Sequence, residues 1–114
     1  MSRLRTLRTA LLVADAAAHV VAFRQAQRAD ASSRDRFGML GGAAMYALLA
    51  AGVAGGNSVA EREAARAPVG GIAALVVTWK QSAIPAATRQ AIIGIDVLLV
   101  VAGIAARRES AAIA

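Results

Sequence analysis

The chain contains no cysteine among its 114 residues. Disulfides, thiolate metal sites, c-type haem attachment and thiol catalysis are therefore excluded. Aromatic residues make up only 4%, thin for a soluble core of this size, where Phe, Tyr and Trp carry much of the buried area. His19 is the single histidine, which rules out bis-histidine haem within one chain and argues against zinc. There is no phosphate loop, nucleophile elbow or HExxH motif. Neither a metal nor a cofactor is expected. Acids are also few: 7 Asp and Glu stand against 13 Lys and Arg, for a net charge of +6.

What is present is apolar and basic. Hydrophobic residues reach 58%, much of it alanine, which is only weakly lipid-seeking. Lys80 is the only lysine, so the bases are otherwise arginine. Heavy use of Ala and of Arg over Lys points to a high-GC bacterial genome, and so to an inner membrane. The arginines do not form a stripe suited to nucleic acid. They punctuate the ends of apolar runs: Arg3, Arg5 and Arg8, then Arg24, Arg28, Arg34 and Arg36, then Arg107 and Arg108. That placement suits anionic headgroups, and a lipid bilayer rather than nucleic acid is the expected partner.

Four apolar runs follow one another. The first, Thr9 to Phe23, lies between Arg8 and Arg24 and is short beside the roughly 20 residues that cross a bilayer, though flanking arginines extend its reach by snorkelling. The second, Phe37 to Ala60, carries no charge and is the strongest sign of a membrane. The third starts at Pro68, read as a first-turn residue, and ends at Trp79 as an interfacial anchor. The fourth runs from about Thr88 to Ala106, with Asp96 near its middle. A basic start followed by an apolar stretch resembles a signal peptide, but Asp15 and His19 inside that stretch argue against cleavage. A soluble bundle is the alternative. The second run has no face for water, and Arg89, Ile93, Asp96, Val100, Gly103 and Arg107 share a face of the fourth that mixes charges with Ile, Val and Gly. The expectation is one all-α domain, residues 1–114, forming a four-helix integral membrane bundle with short, Ala/Gly-packed helices at about 9–24, 37–60, 68–80 and 88–107.

Small residues supply the packing signal, as helices in lipid associate through them. Alanines recur at 10, 14, 18, 22 and 26, and Gly38 with Gly42, and Gly52 with Gly56, stand at GxxxG spacing. Gly70 and Ala74 repeat the pattern in the third run.

The candidate chemical centre is a pair of acids inside apolar runs, where an ionisable group is expensive and so is either satisfied by a partner or kept for a job. Asp15 lies near the midpoint of Arg8–Arg24, and Asp96 near that of Arg89–Arg107. In a four-span chain these midpoints share a depth, so the two carboxyls can face each other and share a proton. His19, one helical turn from Asp15, extends a proton path or fixes the Asp15 rotamer. Tyr46, Asn57 and Trp79 are secondary candidates. The plain alternative is that each Asp is satisfied locally and does nothing else.

With four spans, seven basic residues fall on one side (Arg3, Arg5, Arg8, Arg62, Arg66, Arg107, Arg108) and six on the other (Arg24, Arg28, Arg34, Arg36, Lys80, Arg89). That is almost no positive-inside bias. Four spans, balanced charge and an acid in the first helix resemble the small multidrug resistance transporters, and Ile92-Ile93-Gly94 through Ala102-Gly103-Ile104 is similar to that family's last helix. The chain departs from the family pattern. Asp15 stands where the family has Glu, Gly94 and Gly103 are further apart, the aromatic third-helix motif has no counterpart, and Asp96 has no place in it. Three functions are expected: a proton- or cation-linked small-molecule transporter using Asp15 and Asp96; a non-catalytic subunit of a larger membrane complex; or a membrane-embedded acid–base enzyme (isomerase, hydrolase or cyclase) on a lipophilic substrate. A homo-oligomer or partner membrane subunits suit the small size.

Overall fold

Residues 2–113 are described by a computed structural model. Its helix ends are written in local sequence. α1 (Arg3–Arg28) starts at Ser2, whose hydroxyl accepts from the Arg5 amide at 3.1 Å. It stops where Asp30 takes a left-handed φ of 50°. There the Ala31 amide donates back to the Ala26 carbonyl at 2.9 Å and the Asp30 amide to Gln27 at 3.2 Å, the paired bonds of a Schellman stop. α2 (Ser33–Ala54) is capped by Ser32 and carries Asp35 in its first turn. It ends by the same device: Gly56 has φ 76°, and the Asn57 amide returns to Gly52 at 2.9 Å. Asn57 then caps α3 (Ser58–Val77), accepting from the Ala60 amide at 2.9 Å. α4 (Ala86–Ile113) begins as the Pro85 carbonyl accepts from Thr88 and Arg89.

Two sequence expectations are corrected here. The charge-free run to Ala60 is not one helix: the Gly55-Gly56-Asn57 turn stops α2 at Ala54 and starts α3 at Ser58. Uniform apolarity hid a helix stop followed by a cap. Pro68 is consequently buried inside α3 and is not a first-turn residue. Lacking an N–H, it forgoes the bond to the Ala64 carbonyl. α1, α2 and α4 are long and apolar enough to cross a membrane. α3 is not, because Glu61, Arg62, Glu63 and Arg66 occupy its first half.

Each helix packs on two neighbours, α1 on α2 and α4, and α3 on α2 and α4. The result is an up-down bundle measuring 50 × 22 × 19 Å. Its interior has three layers. One apolar cluster joins Leu12, Tyr46, Ala50, Val53, Ala60, Ala64 and Leu99. A second joins Ala22, Ala26, Ala31, Leu75, Ile84 and Ile92. Between them lie Asp15, His19 and Asp96. The outside is apolar too: Phe37 is 67% exposed, Leu48 74% and Val77 80%, and every helix carries further exposed Leu, Val or Ile.

The alanine stripe of α1 does not act as one seam. Only Ala22 and Ala26 are buried, while Ala10 and Ala14 face outward. Steps of four residues drift about 40° per step around a helix of 3.6 residues per turn. The buried line is instead Arg8, Leu12, Asp15, His19, Ala22 and Ala26. The GxxxG pairs also divide. A Cβ on Gly42 would strike the His19 ring and one on Gly52 the Ala60 methyl, but Gly38 has nothing within 4 Å, and Gly56 serves the turn.

Candidate functional site

Each helix contributes to the middle layer. α1 turns Asp15 and His19 inward, α4 turns Asp96, α2 turns Tyr46, and α3 passes with Gly71. Asp15 and Asp96 are both 0% exposed. Asp96 Oδ2 and the Tyr46 hydroxyl converge on Gly71 of α3, and Asp15 lies in the same buried layer. Two ionised carboxylates are acceptors only. Accordingly none of the four oxygens has a donor aligned on it, and the Tyr46 hydroxyl completes no aligned bond.

His19 flanks the pair. Its Nδ1 lies 2.8 Å from the Asp15 backbone carbonyl and 3.1 Å from Asp15 Oδ1. Both neighbours are acceptors, so Nδ1 is the protonated nitrogen of the ring. The bond goes to the carbonyl, and Oδ1 is an electrostatic neighbour only. The imidazole tilts at 43° against the Tyr46 ring, 5.1 Å between centroids, and lies over Gly42, where a Cβ would stand 2.7 Å from Nε2. Gly42 is thus what lets His19 fold inward.

Gly71 does the same for the acids. A Cβ there would stand 3.0 Å from Asp96 Oδ2 and 3.0 Å from the Tyr46 hydroxyl. The sequence pattern singled out Gly70, whose Cβ would meet nothing within 4 Å.

The flanking arginines stand outside the layer. Arg8 precedes Asp15 by seven residues and Arg89 precedes Asp96 by seven, about 10 Å along each helix. Among the described residues no group of three His, Cys, Asp or Glu could hold a metal. The other sequence candidates sit apart from the acids. Asn57 is the cap between α2 and α3. Trp79 lies beyond α3 beneath Arg89, whose guanidinium is 4.0 Å from the ring centroid.

Comparison with family models, curated proteins and solved structures finds no match.

Proposed function

We propose that the chain is a multi-pass membrane protein whose Asp15–Asp96 pair takes up and releases a proton in step with movement of a small molecule or cation. The observation that carries this reading is the full burial of two carboxyls, Asp15 and Asp96, in one layer, with no hydrogen-bond partner on any of their four oxygens. Such a pair is costly in hydrocarbon unless the proton count at that point is part of the work.

The membrane setting rests on α1, α2 and α4, each long and apolar enough to cross. Arg8 to Arg24 spans about 24 Å of helix and Arg89 to Arg107 about 27 Å, near hydrocarbon thickness once arginines snorkel. α3 sets its charged half beside Arg5, Arg8 and Arg107 at one end and its apolar half within the layer. The closed acids favour transport over the competing readings. Acids held for a scaffold would not need to share one buried layer, and here both are fully buried between the apolar clusters. The apolar clusters on either side of the pair serve as gates in this reading, and a second copy or partner subunit completes the substrate path.

The test is proton movement in proteoliposomes holding the full chain, a trapped pH dye and an imposed pH gradient. Wild type dissipates the gradient. Asp15→Asn and Asp96→Asn each reduce the rate at least tenfold while keeping helical content and a single size in detergent. Their stability stays equal or rises by up to about 2 kcal/mol, since a buried charge is removed. Asn variants that move protons like wild type, or a wild type that moves none, sink the reading.

A further inference from the structure

At the end of the bundle formed by the start of α1, the start of α3 and the end of α4 there is an open cleft of about 630 Å³. Five arginines line it, Arg5, Arg8, Arg62, Arg66 and Arg107, against Glu61 and Glu109. Glu61 is already engaged by Arg5 at 3.0 Å, and Arg66 leans on Glu63 at 3.6 Å. Arg8, Arg62 and Arg107 form no ion pair among the described residues.

Arg8 is the decisive residue. It is only 5% exposed. One of its terminal nitrogens donates to the Glu61 carbonyl, but its Nε is buried without any acceptor. A guanidinium presents a fork of donors matched to two oxygens of one anion. Burying part of that fork unpaired is a standing cost that an oxyanion in the cleft removes. The buried arginine at the other end of the bundle forms the contrast. Arg89 is 7% exposed, and its Nε and Nη1 donate to Ile84 and Trp79 carbonyls at 2.9 and 2.7 Å. It asks for nothing more.

We propose that this cleft binds a phosphate group, held by Arg8, Arg62 and Arg107, and that an anionic phospholipid headgroup is its source. The position supports a lipid. The cleft lies where the helices leave the apolar layer, the depth at which headgroup phosphates sit. Its wall combines the arginines with Leu4, Ala65 and Ala106, so that a chain attached to the phosphate can lie on apolar surface. Basic pockets between membrane helices take anionic headgroups in this way. Phosphate binding stands apart from proton movement at Asp15 and Asp96 and is read without it.

The experiment is native mass spectrometry of the full chain in a neutral detergent, titrated with phosphatidylglycerol and, separately, with diacylglycerol carrying the same tails but no phosphate. Phosphatidylglycerol is expected to bind at least tenfold more tightly. Arg62→Gln and Arg107→Gln, both at exposed positions and safe for folding, each weaken it about fivefold, the equivalent of roughly 1 kcal/mol per arginine at an anionic surface. Arg24→Gln, at the opposite end, leaves it unchanged. Inorganic phosphate separates the two sources. Displacement of the lipid by millimolar phosphate, lost in Arg107→Gln, assigns the site to soluble phosphate chemistry. Lipid retained under that competition assigns it to the headgroup. Equal binding of the two lipids with no effect of phosphate overturns the proposal, and so does wild-type phosphatidylglycerol binding in an Arg62→Gln/Arg107→Gln double variant.

Discussion

Asp35 and Asp96 are both buried carboxylates of one bundle, 9% and 0% exposed, and their surroundings treat them in opposite ways. Asp35 belongs to the end where α1 turns into α2 and α3 into α4. Its Oδ2 accepts from the Ala83 amide at 3.1 Å, and it sits in the first turn of α2, where the helix dipole favours an anion. Around it Arg34 reaches Gln81 at 3.0 Å, Thr88 reaches Gln25 at 2.8 Å, and Arg89 ties the 79–84 loop. Each of these groups has a partner, although the Nε of Arg36, next to Asp35, is buried without one. The middle layer holds Asp15, Asp96 and Tyr46 with no aligned partner for their side-chain oxygens. Satisfied polar groups contribute stability; unsatisfied ones in a packed interior detract from it and persist where the protonation state is used. The difference lies between a carboxylate that has a donor and two that have none, and burial alone does not mark a site.

The sharpest way to break this contrast is at Arg89. Its side chain bonds two carbonyls and stacks on Trp79. Arg89→Ala is expected to cost roughly 2–4 kcal/mol, from charged hydrogen bonds and a desolvated cation–π contact. The midpoint of unfolding in detergent reports it, with Arg24→Ala as the exposed control. Proton movement per folded molecule should persist. An Arg89→Ala protein as stable as wild type but inactive would mean that this end belongs to the working centre.

Next in size is the glycine pair of α3. Gly71→Ala pushes a methyl against Asp96 Oδ2 and the Tyr46 hydroxyl, each 3.0 Å from the new carbon. Overpacking of this kind costs about 1–3 kcal/mol, and it also moves Tyr46 off the acid, so the rate in proteoliposomes should fall severalfold. Gly70→Ala meets nothing within 4 Å and should be neutral or stabilising by up to about 1 kcal/mol, since mid-helix glycine is entropically costly. Measured side by side, the two variants differ by one position in sequence and separate the layer from the lipid-facing surface. Equal effects would remove Gly71 from the site.

Much of this was legible in the sequence where a residue type was out of place, and little where only geometry could decide. Asp15 and Asp96 stand out as acids among aliphatics, and the arginine midpoints put them at one depth; in the structure both are fully buried in the middle layer. His19 followed from its spacing to Asp15. Tyr46 stood out only as a polar side chain in a long apolar run, a secondary candidate, because nothing local aims a helix face. Gly71 was indistinguishable from Gly70 for the same reason. The run to Ala60 concealed a helix stop because hydropathy averages over the Gly-Gly-Asn turn that backbone conformation singles out. The arginine-lined cleft was invisible as a unit, since Arg8, Arg62 and Arg107 lie on three helices and converge only when these pack.

The smallest expected effect is at Asp35 itself, and it tests the contrast most directly, because the same chemical change is made on both sides of it. Asp35→Asn keeps an oxygen able to accept from the Ala83 amide and loses only the charge near the α2 N-terminus, a term of about 0.3–1 kcal/mol. Asp35→Ala loses the acceptor as well, for roughly 1–2 kcal/mol in total, the amide being partly able to find water. Both changes lower stability and leave proton movement intact. Asp96→Asn is expected to do the reverse, holding or raising stability while abolishing movement. The sign of the stability change, read from unfolding midpoints of the two Asn variants in the same detergent, therefore separates a carboxylate that the fold uses from one that the fold merely tolerates. If Asp96→Asn destabilises the protein as Asp35→Asn does, the middle pair is architecture too, and the proton reading loses its physical basis.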